Sequence, residues 1–585
     1  GSKVKKTVLL GALAALTATS IGYRAGATSD TSGKTDTGGS TDTAGDAKAG
    51  GSTGASGEYS SDRINTVYSV ISSSYSLSDY TGNALEYPAG DSVSEESKSK
   101  LSDDTQGYTK GSKVLKVSAG DKVQFEIDVP QDGLYFAKLD YLSYDESILP
   151  VKASMSVDGE YPFYESRNLE FDTTWKLNDE PSLDRYDNET VTVPEKVIQW
   201  EEKYIQDSSY RHSEPLKLEL KKGKHVFEMQ IKEGNALLGG ITLEAPSKDA
   251  AYSGSEKAEG NGIVEIEGEK YSFTNDSAIH AIAEYDTSLS PYEVKDTVLN
   301  TIDSDSFNSA GQKITYTFDA PETGNYYIAL NYRQSEKTDF PVFVDIEVDG
   351  KVPNEAFRSY GMAYSTKYKT STLEDSEGNK LSINLEKGSH SISFTISMAP
   401  ICYIMEEIDV IMSEVNDLAL EITKVAGNNA DKYRDLKLTR YIPGIEDTLY
   451  GYYDRLVELE KSAVKWSDSD KGVAVMSSLL IAAEQLKSLA DNPDEIPYRI
   501  AELTTSQSSV THFLATAVDN LITNDLAIDR LWIYQEGAEL PKKPGIFKSA
   551  WMNIQRFVAS FTEQAYSTKN TNKDHIQVWV NRSNQ

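Results

Sequence analysis

The chain is written partly twice. Val123 to Tyr141 lies beside Ile314 to Tyr332 at a constant offset of 191, and Asp128, Pro130, Gly133, Tyr135, Leu139 and Tyr141 meet identical residues. The offset runs on without a gap, with Val157-Asp158-Gly159 against Val348-Asp349-Gly350, Pro162 against Pro353 and Arg167 against Arg358. Further along, Leu216 to His225 matches Leu381 to His390 at an offset of 165. The change of offset places an insertion in the first copy between about Asn168 and Pro215. Any fold for this chain must therefore supply the same unit twice.

Each unit reads as antiparallel β structure. Phe125, Ile127 and Val129 alternate with polar residues, as do Tyr135, Ala137, Leu139 and Tyr141, with Pro-x-x-Gly between the two runs. Period-two alternation around a turn signal is a hairpin with one buried face. Val151 to Val157 runs into Asp158-Gly159, a two-residue hairpin dipeptide, and Lys222-Gly223 separates two further short strands. Many short strands at this spacing make a sandwich or jelly roll rather than a parallel sheet.

From about Val415 the period changes. Ile445, Leu449, Tyr452, Leu456, Leu459 and Ala463 recur every three or four residues, as do Met476, Leu479, Ala483, Leu486 and Ala490 before the stop at Asn492-Pro493. Phe513, Ala517 and Leu521 form a third stripe, and Phe547, Trp551, Ile554, Val558 and Phe561 a fourth. The fold class expected is thus multidomain β plus α: two β-sandwich domains, 58–248 and 260–413, then an antiparallel helical bundle over 414–570.

The N-terminus reads as an export signal over 1–27. Lys3, Lys5 and Lys6 precede an apolar run from Val8 to Leu16, and Ala25-Gly26-Ala27 gives an A-x-A cleavage pattern. Residues 28–57 are almost all Ser, Thr, Gly, Asp and Ala, a composition too polar to offset the entropy of ordering, and so are expected to be a disordered tether. Both features place the domains outside the cell, held at its surface. With 58 Lys+Arg against 91 Asp+Glu the net charge is −33, which repels phosphate backbones and excludes nucleic acid as a partner. The single cysteine, Cys402, sits among apolar neighbours and reads as a buried structural thiol.

The order Gly-x-Tyr, two strands, Val-Asp-Gly, Lys-Gly-x-His and a last strand resembles galactose-binding-like sandwiches, including carbohydrate-binding modules of the family 6 and 35 type. In the second copy Val264-Glu265-Ile266-Glu267 and Ile408-Asp409-Val410-Ile411 resemble the opening Glu-x-Glu and closing Ile-Asp strands of those modules. That resemblance implies a structural Ca²⁺ held by Glu265, Glu267 and Asp409, and an exposed strand edge is the alternative. Asp574 to Arg582 (with Ile-Gln-Val-Trp-Val at its centre) resembles the first strand of a solute-binding lobe, which would occupy 571–585 and continue beyond this sequence. Signal, tether, two sandwiches, bundle and strand resemble the N-terminal half of large bacterial extracellular solute-binding proteins of the carbohydrate ABC importer type. The resemblance implies a permease as partner.

Sugar recognition uses flat apolar faces and fixed polar groups. The candidates lie in connections: Tyr161, Phe163, Tyr164 and Arg167, then Trp175 and Trp200 in the inserted segment, and Arg358, Tyr360 and Tyr364 in the second copy. Core or loop packing is the alternative for each aromatic, and bridging of strand ends for the two arginines. The six histidines are scattered without H-E-x-x-H spacing, and there is no G-x-S-x-G elbow. The expected function is non-catalytic binding of a polysaccharide or oligosaccharide with no required cofactor. The alternative is a structural or adhesive surface protein whose sandwiches contact other proteins.

Overall fold

The computed structural model describes residues 61–177, 180–293, 297–427, 436–469 and 472–542. The export signal, the tether, the 547–561 stripe and the 571–585 strand lie outside the described residues.

Two sandwiches are present, built from the repeated strands. In the first, β1 (Lys122–Val129), β2 (Gly133–Leu142), β3 (Val151–Val157), β4 (Gly223–Glu233) and β5 (Asn235–Glu244) carry the core. β5 pairs with β2 in one sheet, and β4 lies between β1 and β3 in the other. β1 alternates buried and solvent-facing residues as its sequence requires. Phe125, Ile127, Tyr135, Leu139, Phe227, Met229, Leu238 and Ile241 close the space between the sheets. In the second sandwich β6 (Ile263–Glu267) takes the place of Leu85–Pro88 in the first, and β7 (Lys313–Ala320), β8 (Gly324–Gln334), β9 (Val342–Val348) and β10 (Gly388–Ser397) take the places of β1 to β4.

The turn chemistry is duplicated too. Asp158 and Gly159 both have positive φ, 53° and 84°, and Asp349 and Gly350 have 50° and 78°, the geometry of a type I′ hairpin. In each copy a histidine locks that turn to its neighbour. His225 reaches Asp158 through Nδ1 at 2.6 Å and the Lys221 carbonyl through Nε2 at 2.7 Å. His390 does the same with Asp349 and the Glu386 carbonyl, each at 2.7 Å. Both ring nitrogens face acceptors, so both histidines are turn fasteners.

The copies differ in how they close. In the first, β4 turns directly into β5 at Gly234. In the second, the chain leaves β10 and, among the described residues, makes four long helices: α1 (Cys402–Ala426), α2 (Ile445–Ala463), α3 (Ser477–Asp491) and α4 (Val510–Ile522). Only then does it return as β11 (Ala527–Tyr534), between β6 and β8. β11 is the counterpart of β5. Leu243 faces Ala137 as Ile533 faces Ile328, and each strand bulges at the same point, leaving Gly239 and Asp529 out of register.

This corrects two expectations. The second sandwich does not end at 413, and Ile408-Asp409-Val410-Ile411 is helical, inside α1. The spacing of Ile404, Ile408, Ile411 and Val415 puts all four on the buried face of a helix. The bundle is an insertion within the second sandwich, beginning a dozen residues before the expected 414. The predicted stripes of α2 and α3 are buried as expected, and so are Ala517 and Leu521 of α4, but Phe513 is half-buried at the edge of the core and Leu514 takes the buried place beside it.

The insertion is fastened where it leaves and returns. Lys337, fully buried, donates from Nζ to Asn524 Oδ1 at 2.6 Å, and Asn524 Nδ2 lies 3.2 Å from Met398 Sδ. Burial pulls the Lys337 ammonium down to about 7. Phe340 and Phe343 join the helices' core, and Trp466 packs edge-on against both. The sandwiches are joined as well. Thr174–Lys176 and Glu195–Val197, from the inserted segment of the first copy, extend a sheet of the second through Phe273–Thr274.

Without β11 the second sandwich lacks Ile528, Leu531 and Ile533 from its core. A fragment of residues 249–413 is therefore expected to remain unfolded, whereas residues 249–542 fold. Dispersed amide signals in an NMR spectrum of the shorter fragment would contradict this.

Candidate functional site

The Asp-Gly turn of each copy leads into a short 3-10 turn and then to the equivalent arginine, Arg167 or Arg358. The two arginines have diverged. Arg358 forks onto Asp249 of the connecting segment, with Nε and Nη2 at 2.8 and 2.9 Å, and reaches Asp345 at 3.3 Å through Nη1. Glu355 N also bonds the Ala250 carbonyl at 2.9 Å. This edge of the second sandwich is thus covered by the segment that joins the two domains, and Arg358 fastens it there.

In the first copy the same edge carries aromatic rings. The guanidinium of Arg167 lies over Tyr161 at 5.1 Å and over Tyr164 at 5.5 Å, and Arg63 lies over Tyr164 at 5.4 Å. Arg63 in turn is 3.9 Å from Asp409 of α1. The result is an alternating stack running from Asp409 through Arg63, Tyr164 and Arg167 to Tyr161. Each cation–ring contact contributes about 0.5–1 kcal/mol at a partly exposed site, and planar guanidinium suits such stacking better than ammonium. The stack ends on Tyr161, which is 43% exposed. In the second copy Val352 and Glu355 stand where Tyr161 and Tyr164 stand in the first, so the ladder exists once.

The other expected ligand residues are less open. Trp175 is only 4% exposed, enclosed in the strand that crosses between the sandwiches, so it offers no ring face to a ligand. Trp200 is half-buried against Tyr108 at 4.6 Å and donates Nε1–H to the Thr105 carbonyl at 3.0 Å. Tyr360 is half-buried and its hydroxyl accepts from Glu374 N at 3.1 Å. Tyr364 lies half-buried just beyond the strand Tyr360–Met362. The structure therefore brings together Tyr164 and Arg167, with Tyr161, and leaves Trp175, Trp200, Arg358, Tyr360 and Tyr364 in separate packing roles. The void lined by Ala137, Leu139, Met155, Ile205, Met229 and Ile241 is core space with no room for a water-sized body.

The three carboxylates expected to hold Ca²⁺ do not converge. Glu265 pairs with Arg530 at 3.5 Å, and Glu267 pairs with Lys270. Asp409, in a helix, bonds Arg211 Nη1 at 2.8 Å. Their charges are answered by protein cations, so this trio does not fit a hard cation. Sequence reading missed Asp529, the bulge residue of β11, whose carboxylate accepts from Ser290 N at 2.9 Å and Asn331 Nδ2 at 2.7 Å. It also missed Glu269, whose two carboxylate oxygens are buried without a hydrogen-bond partner. Burial, with the nearby charges of Glu267 and Asp529, pushes the Glu269 carboxyl up to about 9. The signal for Asp529 was present: Ile528-Asp529 repeats the expected closing dipeptide, far along the chain.

Residues 403–521 match the family model described as bacterial solute-binding protein, 4-helix bundle domain, which coincides with α1 to α4. Among curated proteins none matches the sequence. Similar solved structures include a family 35 carbohydrate binding module from Clostridium thermocellum (13% identity over 28% of this chain and 100% of that one, TM-score 0.18). A Podospora anserina GH26-CBM35 beta-(1,4)-mannanase matches at 14% identity over 30% of this chain, TM-score 0.19. A Paenibacillus xanthan lyase matches at 15% identity over 53%, TM-score 0.17. This chain spans 31% of the mannanase and 25% of the lyase.

Glu269 generates a pH prediction. Its folded-state value lies above its unfolded one, so the folded protein holds a proton that the unfolded chain releases. Stability from this group therefore falls as pH rises from about 4.5 towards about 9. Glu269→Gln is expected to flatten that slope and to stabilise the protein above neutral pH by more than about 1 kcal/mol. Urea midpoints measured across this range check it, and an unchanged slope would contradict it.

Proposed function

We propose that the chain is a non-catalytic glycan-binding protein displayed outside the cell, in which the first sandwich holds the sugar. The observation that carries the reading is the ladder ending on Tyr161: an exposed aromatic ring held rigid by a guanidinium beneath it. A ring fixed in advance loses little side-chain freedom when the C–H face of a sugar settles on it, and an open edge accepts any point along a polysaccharide. The match of the bundle to solute-binding proteins supports a link to sugar import, with a carbohydrate ABC permease as partner and no cofactor required for binding.

The second sandwich takes a different part in this reading. Its equivalent edge is occupied by Asp249 and Arg358, and its sheets carry the inserted bundle. It serves as a frame, which is where the structural alternative for the chain keeps its force.

The test is retention on a panel of immobilised plant and host polysaccharides. Tyr161→Ala is expected to weaken retention about tenfold, the loss of about 1.4 kcal/mol, with little change in melting temperature. Arg358→Ala is expected to lower the melting temperature and leave retention intact. Absence of retention on every glycan, or retention unaltered by Tyr161→Ala, would overturn the proposal.

A further inference from the structure

A second cluster lies where the first turn of α1 meets the first sandwich. Cys402 and Glu406, four residues apart, share one face of the helix. Opposite them is His212, from the loop of the first copy that precedes its Leu216–His225 repeat segment. His212 Nε2 lies 3.9 Å from Cys402 Sγ and 3.7 Å from Glu406 Oε1, and all three ligand atoms lie within 4.8 Å of one another. Ser69 Oγ, on the short helix Tyr68–Ser73, donates to Glu406 Oε1 at 2.7 Å and lies 3.3 Å from His212 Nε2. Among the described residues no other group of three histidine, cysteine or acidic side chains is gathered in this way.

We propose that His212, Cys402 and Glu406 form a tetrahedral site for a thiophilic divalent cation, zinc, that staples the inserted bundle to the first sandwich. The donor set suits that ion: one thiolate sulfur, one imidazole nitrogen and one carboxylate oxygen, with Ser69 Oγ or a water in the fourth position. Bond lengths of about 2.3 Å to sulfur and about 2.0–2.2 Å to nitrogen and oxygen separate tetrahedral ligand atoms by about 3.3–3.6 Å. The two measured separations from His212 need to close by only a few tenths of an ångström. Thiolate and carboxylate together neutralise a dication, so the filled site buries no net charge.

The neighbours hold the ligands in place. The His212 backbone N–H donates to Asp207 Oδ2 at 3.3 Å, and its ring packs edge-on against Tyr68 at 5.2 Å. One turn further along α1, Asp409 is already bound by Arg211 and does not compete for the ion. The three ligands come from parts of the chain about 190 residues apart, so the site exists only when the bundle is seated. The cation would hold that seating.

The test uses the full chain, kept reduced, stripped of metal with a chelator and titrated with Co²⁺. The expected result is a thiolate-to-cobalt charge-transfer band in the near ultraviolet, saturating at one equivalent and abolished by Zn²⁺. The chain has one cysteine, so the band by itself assigns the site. Cys402→Ser is expected to remove it, and Glu406→Gln, which preserves shape, to weaken cobalt binding at least tenfold. A folded wild-type protein with no such band would overturn the proposal, as would zinc binding undiminished in both Cys402→Ser and His212→Gln. Either result would mean that the three side chains only share hydrogen bonds.

Discussion

The carboxylate of Asp409 holds the architecture together. It projects from the first inserted helix and meets Arg211 and Arg63, both from the first sandwich, at 2.8 and 3.9 Å. All three side chains are largely shielded from water. A shielded ion pair of this kind adds less to stability than its Coulomb energy implies, because both partners lose hydration. Removing one partner is nevertheless costly, about 3–5 kcal/mol, since the other is left uncompensated. The arrangement therefore specifies position: the bundle seats with Asp409 against the arginines or it deprives buried Arg211 of the carboxylate it is bonded to. Through Arg63 the same contact reaches the tyrosine–arginine stack, so the exposed ring at Tyr161 is rigid partly because of a helix in another domain.

Insertion explains why such a fastening is needed. A bundle added at the end of a chain can move on its linker. One threaded between β10 and β11 has its two ends fixed in the two facing sheets of one sandwich, which leaves it far less freedom than a tail would have. Lys337 with Asn524 grips the base, Phe340 and Phe343 fill it, and Asp409 fixes the flank. The strand that carries Trp175 across to the second sandwich adds a tie between the two repeats.

Much of this was legible in the residues. The repeat, the alternating strands, the Asp-Gly turns and the helical stripes all depend on local periodicity, which pleat and helix impose directly. The closing strand was not legible, for a local reason. Ile408-Asp409 matched the expected dipeptide and came at the expected place, yet its neighbours repeat at helical spacing. The true strand carries the same dipeptide at Ile528-Asp529, but the bulge at Asp529 breaks strict alternation and the insertion destroys the offset. The site divides in the same way. Tyr164 and Arg167 were found because they follow a turn signal, whereas the burial of Trp175 and the capture of Arg358 by Asp249 depend on partners far away in sequence.

The first sandwich thus presents an open aromatic edge at Tyr161, on a pair of sandwiches stiffened by a helical insert. The claim beneath this is that Asp409 couples bundle to sandwich. A double-mutant cycle on Asp409→Asn and Arg211→Gln, read from chemical denaturation of the full chain, measures that coupling directly. The account predicts an interaction energy of at least about 1 kcal/mol between the two positions, and losses that add to within about 0.5 kcal/mol would contradict it.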